Sequence, residues 1–181
     1  MNGRSMYCLD TNVFIEAWNK YYSPNFCPDY WCILNELGQR NIIFMPKEVF
    51  NEIDSSKDEL TKWLKESSIP VHSTDNIVTG NVTRIFEANP LHINLVQESK
   101  GKSLADPWVI AHAMKNKATV VTKENKSNYS NPNPKKIHIP DVCENMGIRW
   151  IDDYQMVKEL GIKFSCECPI SKSSMITNNL F

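Results

Sequence analysis

The stretch YCLDTNVFI, residues 7 to 15, changes its hydrophobic spacing partway along. Tyr7, Cys8 and Leu9 are consecutive apolar residues, as in a short buried strand, whereas Val13, Phe14, Ile15 and Trp18 recur as on the core side of a helix. Asp10 marks the junction. After a Pro-containing loop, Tyr30 to Leu37 again has helical spacing, with Gly38 as the expected stop. Asn41 to Met45 holds the β-favouring run Ile42, Ile43, Phe44, and Pro46 is expected to open the next helix at its first position. That helix, KEVFNEI, turns Val49, Phe50 and Ile53 inward. Ser55 to Asp58 breaks the pattern before a helix containing Leu60, Trp63 and Leu64.

Ile69 to His72 predicts a short strand, and Thr74 to Leu95 predicts helix interrupted at Asn89-Pro90. The run PWVIAHAMKN reads as a helix with a small-residue face, followed by a buried strand from Ala118 to Thr122. KENKSNYSNPNPKKIHIP is too rich in Asn, Ser and Pro for a core element. Asp141 to Met146 predicts a helix, Ile148 to Ile151 a strand and Tyr154 to Leu160 a last helix, with an irregular tail from Gly161. Strands alternating with helices imply an α/β protein: a three-layer α/β/α sandwich around a mostly parallel sheet. The boundaries expected are one domain over residues 6–160 and a tail over 161–181.

Composition supports this picture. Hydrophobic residues make up 41% and charged residues 23% of 181, and mean hydropathy is −0.40, values typical of a globular chain. No apolar run approaches the roughly 18 residues of a membrane helix, and MNGRSMYCLD lacks the apolar core of a signal peptide. The six cysteines form no C-x-x-C pair, so reduced thiols in a cytoplasm are the simplest account; Cys166 and Cys168 form a C-x-C in the tail. A formal net charge of −1 means that any nucleic-acid binding must come from a local patch.

The acids at element boundaries carry the chemical interest. Asp10 follows a strand at the edge where open parallel sheets place ligand crevices. Asp106, before Pro107 in SLADPWVIAHA, stands at a helix start in the same way. For each one alone, N-capping is a sufficient reason. Glu52 is charged yet neighbours core residues, Glu48 precedes it by one turn, and Thr122-Lys123-Glu124 ends an apolar strand. Asp141 has the Pro-flanked look of a further cap. Lys123, Lys126, Lys135 and Lys136, with Tyr129 among them, could contact phosphate and stack a base.

In this order the motifs L-D-T-N at 9–12, the helix bearing Glu52, A-D-P-W-V-I-A-H-A at 105–113 and A-T-V-V-T-K-E at 118–124 resemble the PIN-domain nucleases, metal-dependent ribonucleases that include many toxins of toxin–antitoxin pairs. The resemblance spans residues 6 to 160. It implies that Asp10, Glu52 and Asp106 are metal ligands, that Thr11, Asn12 and Thr122 support them, and that Glu124 occupies a fourth acidic position where the family often has Asp or Asn. Glu52 is preferred to Glu48, whose place in the first helical turn is explained by the helix dipole. The cofactor implied is Mg²⁺ or Mn²⁺, which favour hard oxygen ligands. The partners implied are an RNA substrate, a protein antitoxin and a second copy of the chain. Two other readings stay open: a PIN-like module that holds RNA or protein without cutting, and a phosphatase of the haloacid-dehalogenase type, whose signature needs an acid where this chain has Asn12.

Overall fold

The computed structural model describes residues 5–96, 104–127 and 136–164. Lys135, Tyr129, Cys166, Cys168 and nearly all of the expected tail 161–181 lie outside these described residues. Five short strands form one sheet: β1 (Tyr7–Leu9), β2 (Ile43–Pro46), β3 (Val71–His72), β4 (Thr119–Val121) and β5 (Trp150–Ile151), in the order β3-β2-β1-β4-β5. Every pairing is parallel, with Cys8 set between Phe44 and Val120. All residues of β1, β2 and β4 are buried. Uninterrupted burial of that kind follows when helices cover both faces of a parallel sheet.

Those helices are α1 (Thr11–Glu16), α2 (Pro28–Gln39), α3 (Lys47–Asp54), α4 (Glu59–Glu66), α5 (Asn76–Ala88), α6 (Asp106–Asn116), α7 (Ile139–Asn145) and α8 (Asp153–Glu159). Helix α6 packs on β1, β2 and β4, and α5 packs on α6. The small residues Ala111 and Ala113 are buried there, as expected of a helix that must approach its neighbours closely. The three-layer α/β/α sandwich expected from the sequence is the architecture found. Among the described helices none is long and apolar enough to cross a membrane, and Cys8, Cys27, Cys32 and Cys143 are free thiols.

Several boundaries differ from expectation, three of them at residues singled out above. Pro46 ends β2 and occupies the N-cap of α3, one position before the one predicted. Gly38 does not stop α2, which runs to Gln39; a Cβ at Gly38 would lie 2.7 Å from the Ile69 Cα, so the residue is required for close approach. Helix α7 begins at Ile139 rather than Asp141.

The chain runs outward from β1 to β2 and β3 on one side, then returns to add β4 and β5 on the other. The strand order therefore switches direction between β1 and β4. Such a switch opens a crevice at the carboxyl ends of the strands, because the flanking connections depart in opposite directions. Asp10 and Thr122 are the residues that follow those two strands.

Candidate active site

Asp10 is buried, 2% exposed, and both of its carboxylate oxygens are held. Oδ1 accepts the Thr11 N–H at 2.7 Å, which makes Asp10 the N-cap of α1. Oδ2 accepts the Thr122 hydroxyl at 2.9 Å across the switch point. Burial pushes its pKa up to about 7; the nearby Glu124 and Glu52 carboxylates add to the rise, against the bonds from Thr122 and Thr11. Like charges gathered away from water are the usual cause of such a shift.

Neighbouring side chains extend this hub. The Thr11 hydroxyl donates to Glu52 Oε2 at 2.6 Å and so ties α1 to α3. Asn12 donates to Thr122 Oγ1 at 3.3 Å and accepts the Lys123 N–H at 2.8 Å. The L-D-T-N motif thus reaches α3 on one side and the segment after β4 on the other. Thr11, Asn12, Glu52, Thr122 and Glu124 are all brought into the surroundings of Asp10.

Asp106 differs from the expected cap. Ala105 takes the cap position of α6, and Asp106 is the first helical residue, 2% exposed. Ala105 lines a cleft of about 370 Å³ together with Glu48, Glu52, Leu104 and Trp108. Glu124 accepts the Ile139 N–H at 2.9 Å and faces the Lys136 ammonium at 3.5 Å, so it secures the start of α7. Asp141 is the third residue of α7; it accepts the His138 N–H at 2.9 Å in a capping box and the Ser127 hydroxyl at 2.6 Å. Its capping role thus holds, although from inside the helix.

Glu48 faces a different environment from Glu52. Its Oε1 accepts the Thr74 hydroxyl at 2.6 Å, and its Oε2 is 3.8 Å from Nε2 of the fully buried His112. Lys126 pairs with Glu144 at 2.5 Å. Lys123 pairs with Asp153 at 2.6 Å.

Asp153, 1% exposed, was not singled out by the sequence. The signal was present, since Asp152 and Asp153 follow the apolar end of β5 much as Asp10 follows β1.

Among the described residues no three His, Cys, Asp or Glu side chains lie in an arrangement able to cage a metal ion. The donors that are present are hard oxygens, and burial, with two further carboxylates nearby, raises the pKa of Asp10. That environment suits Mg²⁺, which commonly takes one or two carboxylates and completes its shell with water and substrate phosphate.

No curated protein matches this chain. Among solved structures, a chain from the crystal structure of VapBC2 from Rickettsia felis bound to a DNA fragment from their promoter superposes with a TM-score of 0.50 and 19% identity. The match covers 81% of this chain and 98% of that one. At such identity the likeness is one of fold, and the PIN-like fold expected from the four motifs is borne out. A family model matches residues 7–164, nearly the whole described length, and on that match the chain belongs to the family described as a domain of unknown function (DUF4411).

Proposed function

We propose that this chain is a divalent-metal-dependent endoribonuclease and the toxin of a toxin–antitoxin pair, acting in the cytoplasm. The observation that carries the reading is the carboxylate hub at the β1/β4 switch point, where Asp10 is buried, doubly hydrogen-bonded and raised to about 7 beside Glu52 and Glu124. Asp10 and Glu52 are the residues assigned to hold the ion, and Asp106 is the third ligand that the family resemblance assigns. Held there by Asp10 and Glu52, Mg²⁺ or Mn²⁺ would supply an activated water and offset the charge of a phosphodiester.

The chain's own contribution is orientation. Thr122 and the Thr11 N–H fix the two oxygens of Asp10, the Thr11 hydroxyl fixes Glu52, and Asn12 holds the backbone of Lys123. Glu124 is assigned a positioning role, because its carboxylate is engaged by the first N–H of α7. An antitoxin and a homodimer are proposed from the resemblance to toxin-type PIN domains. The phosphatase reading is set aside: Asn12 stands where it needs an acid, and its amide is committed to Thr122 and Lys123.

The test is incubation of the purified chain with mixed cellular RNA in Mg²⁺, Mn²⁺ or EDTA, with cleavage positions mapped. Metal-dependent scission at defined positions is expected, and intact RNA in every condition would overturn the assignment. A non-cleaving PIN-like module is the second reading, favoured by the lack, among the described residues, of a three-ligand cage. RNA binding unaffected by EDTA, with no scission, would establish it.

A further inference from the structure

Helix α1 runs into a π-helical turn, Ala17–Tyr21, in which the Tyr22 N–H reaches back five residues to the Ala17 carbonyl at 2.9 Å. Such turns are rare and recur at functional sites. Here the turn sets the ring of Tyr21 beside Lys123, whose Nζ lies 4.6 Å from the ring centroid, while the residue stays 50% exposed. A half-exposed aromatic ring therefore stands beside the segment that leaves β4. A cavity of about 470 Å³ opens there, with Tyr21, Trp150, Lys20, Glu16, Glu124 and Asp152 in its wall. Clefts of roughly 300–1,000 Å³ are the usual size for small-molecule groups.

The lysines suggest phosphate, but their partners decide against it. Lys123 is paired with the buried Asp153 at 2.6 Å, and Lys20 with Glu16 at 3.3 Å. The carboxylates of Glu16, Glu124 and Asp152 in the same wall would repel a phosphate. An aromatic face beside hydrogen-bond acceptors suits a planar ligand that presents N–H donors along one edge. Unpaired RNA bases are held in this manner, stacked on aromatic rings and read along their Watson–Crick edge. Guanine offers two adjacent donors on that edge, which a carboxylate can accept together. Uracil offers one, between two carbonyls.

We propose that this cavity binds one unpaired nucleobase of the RNA substrate, stacked on Tyr21 with its donor edge toward Glu16 and Asp152, and that it prefers guanine to uracil. The inference rests on the ribonuclease reading above. Lys123 links the two sites, since its N–H is bonded to Asn12 and its ammonium lies over Tyr21. The base is thereby held in a fixed relation to Asp10.

The test measures fluorescence anisotropy in EDTA, without chemistry, of short labelled oligo-U RNAs carrying one central guanine, uracil or 2-aminopurine. Wild type should bind the guanine-containing RNA about tenfold more tightly than oligo-U and quench the 2-aminopurine. Tyr21→Ala should lose roughly tenfold in affinity and the quenching, Tyr21→Phe should keep both, and Glu16→Gln should narrow the preference for guanine. Circular dichroism of each variant controls for folding. Unchanged binding and quenching in Tyr21→Ala, with wild-type cleavage positions in Mn²⁺, would overturn the base site and leave the ribonuclease reading intact. Guanine-selective binding with no scission in any metal would support the base site and end the ribonuclease reading. Absence of both binding and scission in wild type would overturn the two together.

Discussion

At Asp10 a helix cap and a buried charge are the same carboxylate, and substitution separates them. Asn caps a helix about as well as Asp, and a neutral side chain avoids the cost that burial and the Glu124 and Glu52 carboxylates impose. Asp10→Asn should therefore melt at or slightly above the wild-type temperature without metal. On the metal reading proposed above, it should lose in Mn²⁺ the stabilisation that ion binding would confer and more than about 100-fold of its cleavage rate, because even hydrogen-bond partners of a metal ligand are worth about 10–100-fold. Thermal melts with and without Mn²⁺, paired with RNA cleavage, check this. His112 predicts a different pH behaviour. Burial lowers its pKa below 6.5, with Glu48 and Asp75 opposing and His72 and Lys115 adding to the fall. The unfolded chain takes up a proton that the folded one resists, so stability is complete above about pH 6.5 and declines as pH falls below it. Urea melts of His112→Leu should show a flatter acid limb than wild type; an identical limb would dismiss His112 as its source. Of these residues Asp10 was legible in the sequence as both cap and candidate ligand. The commitment of Glu124 was not, because its partner is an N–H 15 residues further on. The position of Asp106 inside α6 turned on a one-residue boundary that pattern alone does not define.

Elements were legible wherever local periodicity decided them and misplaced wherever a partner did. Strands β1 and β4 announced themselves through consecutive apolar residues, and α3 through Val49 and Ile53, both buried. The end of β2 is decided by pairing instead: Pro46 lies opposite His72 of β3, which extends the strand onto the proline. Gly38 looked like punctuation because a stop and a close approach demand the same residue. The two uses make opposite predictions. Gly38→Ala should cost about 1–3 kcal/mol, the usual penalty of overpacking, since its Cβ would meet the Ile69 and Ser68 backbone. Gly80→Ala, within α5 and with nothing inside 4 Å of its Cβ, should stabilise by about 0.5–1 kcal/mol. Urea denaturation of the two variants beside wild type reads both signs at once.

At the scale of the whole molecule, the described lysines nearest the hub are each paired. The formal net charge is −1, and Lys20, Lys123, Lys126 and Lys136 each face a carboxylate within 3.5 Å. A phosphate must displace a carboxylate to reach any of them. RNA affinity should therefore vary weakly with salt, with a log–log slope no steeper than about −2 where six phosphate contacts on a single strand would give about −4; anisotropy titrations from about 50 to 200 mM salt measure it. The sheet order places a second constraint on the molecule, one of time. The bond between Asp10 and Thr122 joins residues separated by 112 positions. Ribosomes add roughly 5–20 residues per second, so an interval of about 6 to 22 s separates the synthesis of the first half of the hub from that of the second. Until the later half emerges, Asp10 belongs to a nascent chain without its neighbours from β4. If the chain is the ribonuclease proposed above, its hub therefore stays incomplete for that interval of its own translation.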